Sequence, residues 1–174
     1  MEQIVKPQAG DILFVTGDTL VDLGIEFVSH GDVSHVAIFI GEDKLFEAQG
    51  GRTLGECDLS FYLNDDKVTR LEVWQDTTLT DEERGQIVEF AKSMTGVPYD
   101  YTVIPLEVLH FELGVKLDWY RNHKLDCSEF VNACGEKVGR KWSKVTHPAP
   151  SELKNGGVLK RKLILKDVTK KEDE

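Results

Sequence analysis

Three cysteines among 174 residues are too few for a disulfide scaffold, and an odd count at positions 57, 127 and 134 leaves at least one thiol unpaired. A reducing compartment is the expectation. Long apolar runs are missing as well: the stretch from Val36 to Gly41 falls far short of the roughly 20 residues a membrane-crossing helix needs. The start, Met1 to Gly10, has neither the basic nor the apolar region of a secretory signal. Together these predict a soluble, cytoplasmic protein, with lysis of the phage type as the other route to a substrate outside the cell. No period of roughly 20 to 50 residues recurs, which excludes solenoids and propellers.

Positive charge is also scarce. Lys and Arg number 21 against 31 Asp and Glu, a formal net charge of −10 and a pI near 5.0. Such a surface repels phosphate backbones and anionic lipid heads, so nucleic acid and membrane surfaces are not expected partners. From Ser151 onward 7 basic residues outnumber 5 acidic ones, so the excess of acid belongs to the first 150 residues. A body of that sign attracts cationic groups.

What is present suffices for one ordinary core. With 40% hydrophobic positions the chain reads as a single domain over residues 1–166, followed by a charged tail, 167–174, expected to be solvated and frayed. Ile12 to Val15 after Gly10-Asp11 reads as a buried strand, and Leu20 to Phe27 as a short helix. Ser34 to Ile40 and Lys44 to Gln49, separated by Gly41-Glu42-Asp43, form a hairpin signal, and Val68 to Val73 is a further strand. Thr80 and Glu83 have capping-box spacing ahead of Ile87, Val88, Phe90, Ala91 and Met94, which recur at helical period up to Gly96. Asp126 and Glu129 open a second helix with Phe130, Val131, Cys134 and Val138 as its apolar stripe. His147 to Ser151 turns into a short helix, and Val158 to Leu165 reads as the last strand. Without a regular strand-helix alternation, the expected class is α+β with an antiparallel sheet.

Cys127 falls in the first turn of its helix, where unpaired N–H groups and the macrodipole stabilise a thiolate and can receive an oxyanion. Position alone favours a plain buried cysteine, so a partner base has to tip the balance. Alternation places His35, Ala37 and Phe39 on one strand face, and Leu45, Glu47 and Gln49 on one face of the next. A three-residue loop at Gly41 to Asp43 opposes Ile40 to Lys44, which makes Glu47 a diagonal neighbour of His35; a two-residue loop would separate them. An imidazole beside a carboxylate is what a base and its orienting group require. Gln49 is the alternative third member. Cys134, seven residues after Cys127 on the same stripe, reads as core, and Cys57 as a loop thiol. Trp74, Trp119 and Trp142 fit core anchors or a substrate wall equally. No C-x-x-C or H-E-x-x-H spacing occurs, so neither a metal nor a cofactor is expected.

Gly10-Asp11-Ile12, Ser34-His35-Val36-Ala37-Ile38 with Gly41, Phe46-Glu47-Ala48, Gly96-Val97-Pro98-Tyr99-Asp100 and Asp126-Cys127-Ser128-Glu129-Phe130-Val131 resemble the circularly permuted branch of the NlpC/P60 papain-like cysteine hydrolases, the YiiX-like group. The likeness runs from about residue 9 to about 153, in the permuted order His, carboxylate, Cys. It implies a permuted papain-like fold in which the cysteine helix packs on an antiparallel sheet carrying the histidine. It further implies Cys127 as nucleophile, His35 as general base and Glu47 as the polar third residue. Tyr99 matches a tyrosine upstream of the family's cysteine, as an oxyanion or substrate contact or as packing; Ser128 and Gln49 join it as candidate substrate or oxyanion contacts. Residues 102–124, with Trp119, Tyr120 and His123, follow no pattern of that group.

The function expected is amide hydrolysis through an acyl-enzyme on a peptide or amine-bearing substrate, cell-wall stem peptides among them. The alternatives are acyl transfer of the lecithin retinol acyltransferase type, whose Asn-Cys-Glu-His signature is absent here, and a non-catalytic binding module.

Overall fold

The computed structural model describes residues 5–17, 33–48, 53–96, 127–145, 148 and 150–168. Six strands make one sheet: β1 (Ile12–Gly17), β2 (His35–Phe39), β3 (Lys44–Glu47), β4 (Gly55–Asp58), β5 (Val68–Gln75) and β6 (Lys160–Asp167). The order is β4-β3-β2-β1-β5-β6 and every neighbouring pair is antiparallel. The α+β expectation with an antiparallel sheet is met. Among the described residues four helices accompany it: α1 (Leu59–Leu63), α2 (Asp81–Ser93), α3 (Cys127–Lys137) and α4 (Pro150–Lys154). The helix expected over Leu20 to Phe27 and the Asp126 cap lie outside the described residues.

Alternation sorts the central strands into two apolar layers. Ile12, Phe14, Val36, Ile38 and Phe46 pack with α2, α3, α4 and Trp142 on one face. Leu13, Val15, Ala37, Phe39, Leu45, Leu71 and Val73 pack with Leu59 and Tyr62 of α1 on the other. With both faces covered, β1 and β2 read as nearly continuous apolar runs rather than as half-polar strands. Each fully buried large aliphatic or aromatic contributes about 1.5–3 kcal/mol.

The α2 capping box is present as the spacing predicts. The Thr80 hydroxyl accepts from the Glu83 N–H at 3.2 Å, and Glu83 Oε2 accepts from the Thr80 N–H at 2.8 Å. Arg140, just past α3, donates to both Glu83 oxygens, so the cap also ties α2 to α3. Asp11, fully buried at the mouth of β1, accepts from Arg84 of α2 at 3.1 Å and from Lys162 of β6 at 2.7 Å. Gly10 before it adopts φ +81°, a left-handed turn conformation that suits glycine.

Three expectations need correction. Cys57, expected in a loop, sits on the edge strand β4 opposite Leu45, and α1 follows it directly. The last strand begins at Lys160 and runs to Asp167, two residues beyond the expected Leu165. Asp167, the first residue of the expected tail, is therefore held and accepts from Arg70 at 3.0 Å, while the Lys166 ammonium before it donates to the Leu63 and Asp65 carbonyls at 3.2 and 2.8 Å.

Candidate active site

The hairpin register fixes the site. Ile38 opposes Phe46 and Phe39 opposes Leu45, and the Ile40 N–H donates to the Lys44 carbonyl at 2.9 Å. This is the three-residue-loop parity, and it turns His35 and Glu47 toward each other. His35 Nε2 lies 2.9 Å from Glu47 Oε2, with the two side chains 1% and 2% exposed. Nε2 is committed to the carboxylate, which leaves Nδ1 as the ring nitrogen for a second partner.

The second group that acts on this ring is Cys127. α3 packs on the Val36, Ile38 and Phe46 face, whereas His35 follows the alternation of Ala37 and Phe39 on the other. His35 opens its strand, so its ring stands at the end of the sheet, where side chains from both faces can meet. There the imidazole interacts with the Cys127 thiol by hydrogen bond and by charge. Burial pulls strongly against a charged imidazole, but Cys127 and Glu47 together outweigh it and push the His35 pKa up to about 10. Glu47 moves the other way: although burial favours its neutral form, bonds from His35, Tyr62 and Cys57 hold its carboxyl below the usual range.

Tyr62 of α1 was not singled out in the sequence. Its hydroxyl donates to Glu47 Oε2, the same oxygen that meets His35, and its ring stacks on the imidazole at 5.8 Å between centroids and 25° between planes. A five-residue helix after a four-residue edge strand leaves no periodic signal, and only the aromatic doublet Phe61-Tyr62 hinted at a buried contact. Cys57 supplies a further bond to Glu47 from β4.

The remaining candidates separate. Ser128 is fully buried, and its hydroxyl donates to the Pro148 carbonyl at 2.6 Å, which ties the start of α3 to the segment before α4. Cys134 is fully buried and burial pushes its thiol pKa up, the state of an inert core cysteine. Trp142 is a core anchor whose indole N–H donates to Asp76 at 3.0 Å. Trp74 packs edge-on against Phe14 under the Lys154 ammonium. Tyr99, Gln49, Trp119 and residues 102–124 lie outside the described residues.

A six-stranded antiparallel sheet with a cysteine opening a buried helix and a histidine opening a strand, in the order His before Cys, defines a permuted papain-like protein. The family profile described as "Permuted papain-like amidase enzyme, YaeF/YiiX, C92 family" matches residues 6–157, and the chain belongs to that family. A crystal structure titled "metalloprotein yiiX from Escherichia coli O157:H7" superposes with a TM-score of 0.61 at 18% identity, covering 90% of this chain and 96% of that one. No curated protein matches the chain significantly. Among the described residues no three His, Cys, Asp or Glu side chains are arranged to share a metal ion, and no helix is long and apolar enough to cross a membrane.

Proposed function

We propose that this chain hydrolyses an amide bond through an acyl-enzyme, with Cys127 as nucleophile, His35 as proton carrier and Glu47 as the group that orients and charges His35. The observation that carries this reading is the buried imidazole bonded at 2.9 Å to Glu47, and Glu47 and Cys127 together push its pKa up. A charged imidazole beside a thiol supports a thiolate–imidazolium pair. His35 then acts first as an acid rather than as the resting base the sequence suggested.

The thiolate attacks the carbonyl carbon and a C–S bond forms; the oxyanion is received by N–H groups in the first turn of α3. Collapse breaks the C–N bond, and the leaving amine takes its proton from His35. The neutral imidazole then removes a proton from water as the water oxygen attacks the thioester. Loss of the C–S bond releases the carboxylic acid and restores the thiolate beside the imidazolium. Every step uses side chains of this chain, and none passes through a metal.

An acidic body favours a substrate carrying a free amine, such as a peptide with a diamino acid. The test is a panel of murein stem-peptide fragments and ε-linked lysyl amides, with a thioester donor and amine acceptor alongside. Hydrolysis by the wild type, lost by at least about 10³-fold in Cys127→Ala, is expected. Transfer to the acceptor in preference to water, or cleavage that survives Cys127→Ala, would overturn the assignment.

A further inference from the structure

We infer that Tyr62 is a positioning residue of this site, acting through Glu47: its hydroxyl fixes the carboxylate oxygen that receives His35, and its ring backs the imidazole. The inference rests on the pairing of Cys127, His35 and Glu47 proposed above and extends it to a fourth side chain from a different element.

Glu47 is 2% exposed, so its charge cannot draw on bulk water. A buried carboxylate keeps its charge only through its donors, and beside His35 Nε2 the Cys57 thiol is a weak one. Tyr62, itself 2% exposed, supplies a second donor to the same oxygen. Two charge-assisted bonds converging on Oε2 restrict the carboxylate to one rotation, which sets the direction of the acceptor that His35 meets. The stacked phenol ring blocks the imidazole from tilting away.

Tyr62 is held from outside the site. One turn of helix is not stable alone, yet α1 buries Leu59 and Tyr62, and Phe61 packs edge-on against the phenol at 5.2 Å. Lys166 of β6 anchors the end of α1 through the Leu63 and Asp65 carbonyls. Burial and the Glu47 charge push the phenol pKa far up, so the hydroxyl remains a donor throughout the working range. Its bond is among the causes that, after those from His35, keep Glu47 ionised against the pull of burial.

The test is a double-mutant cycle on the iodoacetamide labelling rate of Cys127, mapped by mass at pH 6, in wild type, Tyr62→Phe, Glu47→Gln and the double variant. Tyr62→Phe keeps the ring and is expected to slow labelling roughly tenfold, the scale of a hydrogen bond to a charged group. It should also move the acid limb of the labelling profile to higher pH, because Glu47 protonates more readily without its donor. The double variant should match Glu47→Gln alone. A Tyr62→Phe rate equal to wild type, or factors that multiply in the double variant, would overturn the inference, since a purely structural tyrosine acts independently of Glu47. If Tyr62→Phe does not fold, 3-fluorotyrosine placed at position 62 keeps the shape and strengthens the donor; the acid limb must then move to lower pH, and an unmoved limb overturns the inference.

Labelling needs no substrate, which separates the two claims. Coupling in the cycle with no amide cleaved by the wild type retires the hydrolase reading and keeps the role of Tyr62. Amide cleavage with Tyr62→Phe labelling at the full rate does the reverse.

Discussion

Burial by itself strips the proton from an imidazole, so a histidine 1% exposed would ordinarily be neutral. At His35 two neighbours reverse that outcome, and the ring keeps its proton up to about pH 10. The proposed chemistry needs that proton for the leaving amine. In the free enzyme kcat/KM should therefore hold across the neutral range and fall only as pH approaches 10, when the imidazolium is lost. An alkaline limb near 6.5, where a free histidine titrates, would show that Cys127 and Glu47 do not charge the ring. His35 and Glu47 were both legible in the sequence because strand alternation and a countable loop determine which side chains share a face. The protonation state was not, since it depends on the balance between burial and two partners from separate elements.

At the scale of elements, legibility followed local signal strength. α2 was readable because its capping box lies within four consecutive residues, Thr80 to Glu83, ahead of an apolar stripe. β4 and α1 were not, because four residues on a sheet edge and one helical turn carry no period; their conformation comes from burying Leu59 and Tyr62 and from the grip of Lys166. The consequence was functional: Tyr62 and the strand position of Cys57 were missed together. α3 depends on close approach. A Cβ at Gly135 would lie 2.8 Å from the Trp142 indole, a ring fully buried and bonded to Asp76. Gly135→Ala gains about 1 kcal/mol in helix propensity, yet overpacking costs about 1–3 kcal/mol. The overpacking term should win, lowering the unfolding midpoint by roughly 2–4 °C per kcal/mol of net loss for a chain of this size. Calorimetry that shows a raised midpoint would mean that Trp142 yields freely and that α3 is not fixed by this contact.

At the scale of the whole molecule, the sheet divides two apolar layers and the proposed chemistry sits at its end, where α3 from one layer and α1 from the other reach the start of β2. Buried charges tie the periphery to this frame. Glu72 of β5 takes ion pairs from Arg70, Lys154 and Arg161, and Asp11 takes Arg84 and Lys162. The net charge of −10, which first excluded nucleic acid and anionic membranes, also conceals a basic edge strand in which Arg161 and Lys162 serve the fold through these pairs and Lys166 through backbone carbonyls. No local pattern marked Lys162 or Lys166 as structural, because their partners lie about 100 residues or more away in sequence. The central claim is that Cys127 works as one ionised unit with His35. Its most direct test is the pH profile of Cys127 labelling by iodoacetamide, mapped by mass in wild type and His35→Ala with N-acetylcysteine as reference. A wild-type rate well above that of the reference thiol near neutral pH, lost in His35→Ala, is the predicted result. A wild-type rate that climbs in parallel with the free thiol and is indifferent to His35 would contradict the account.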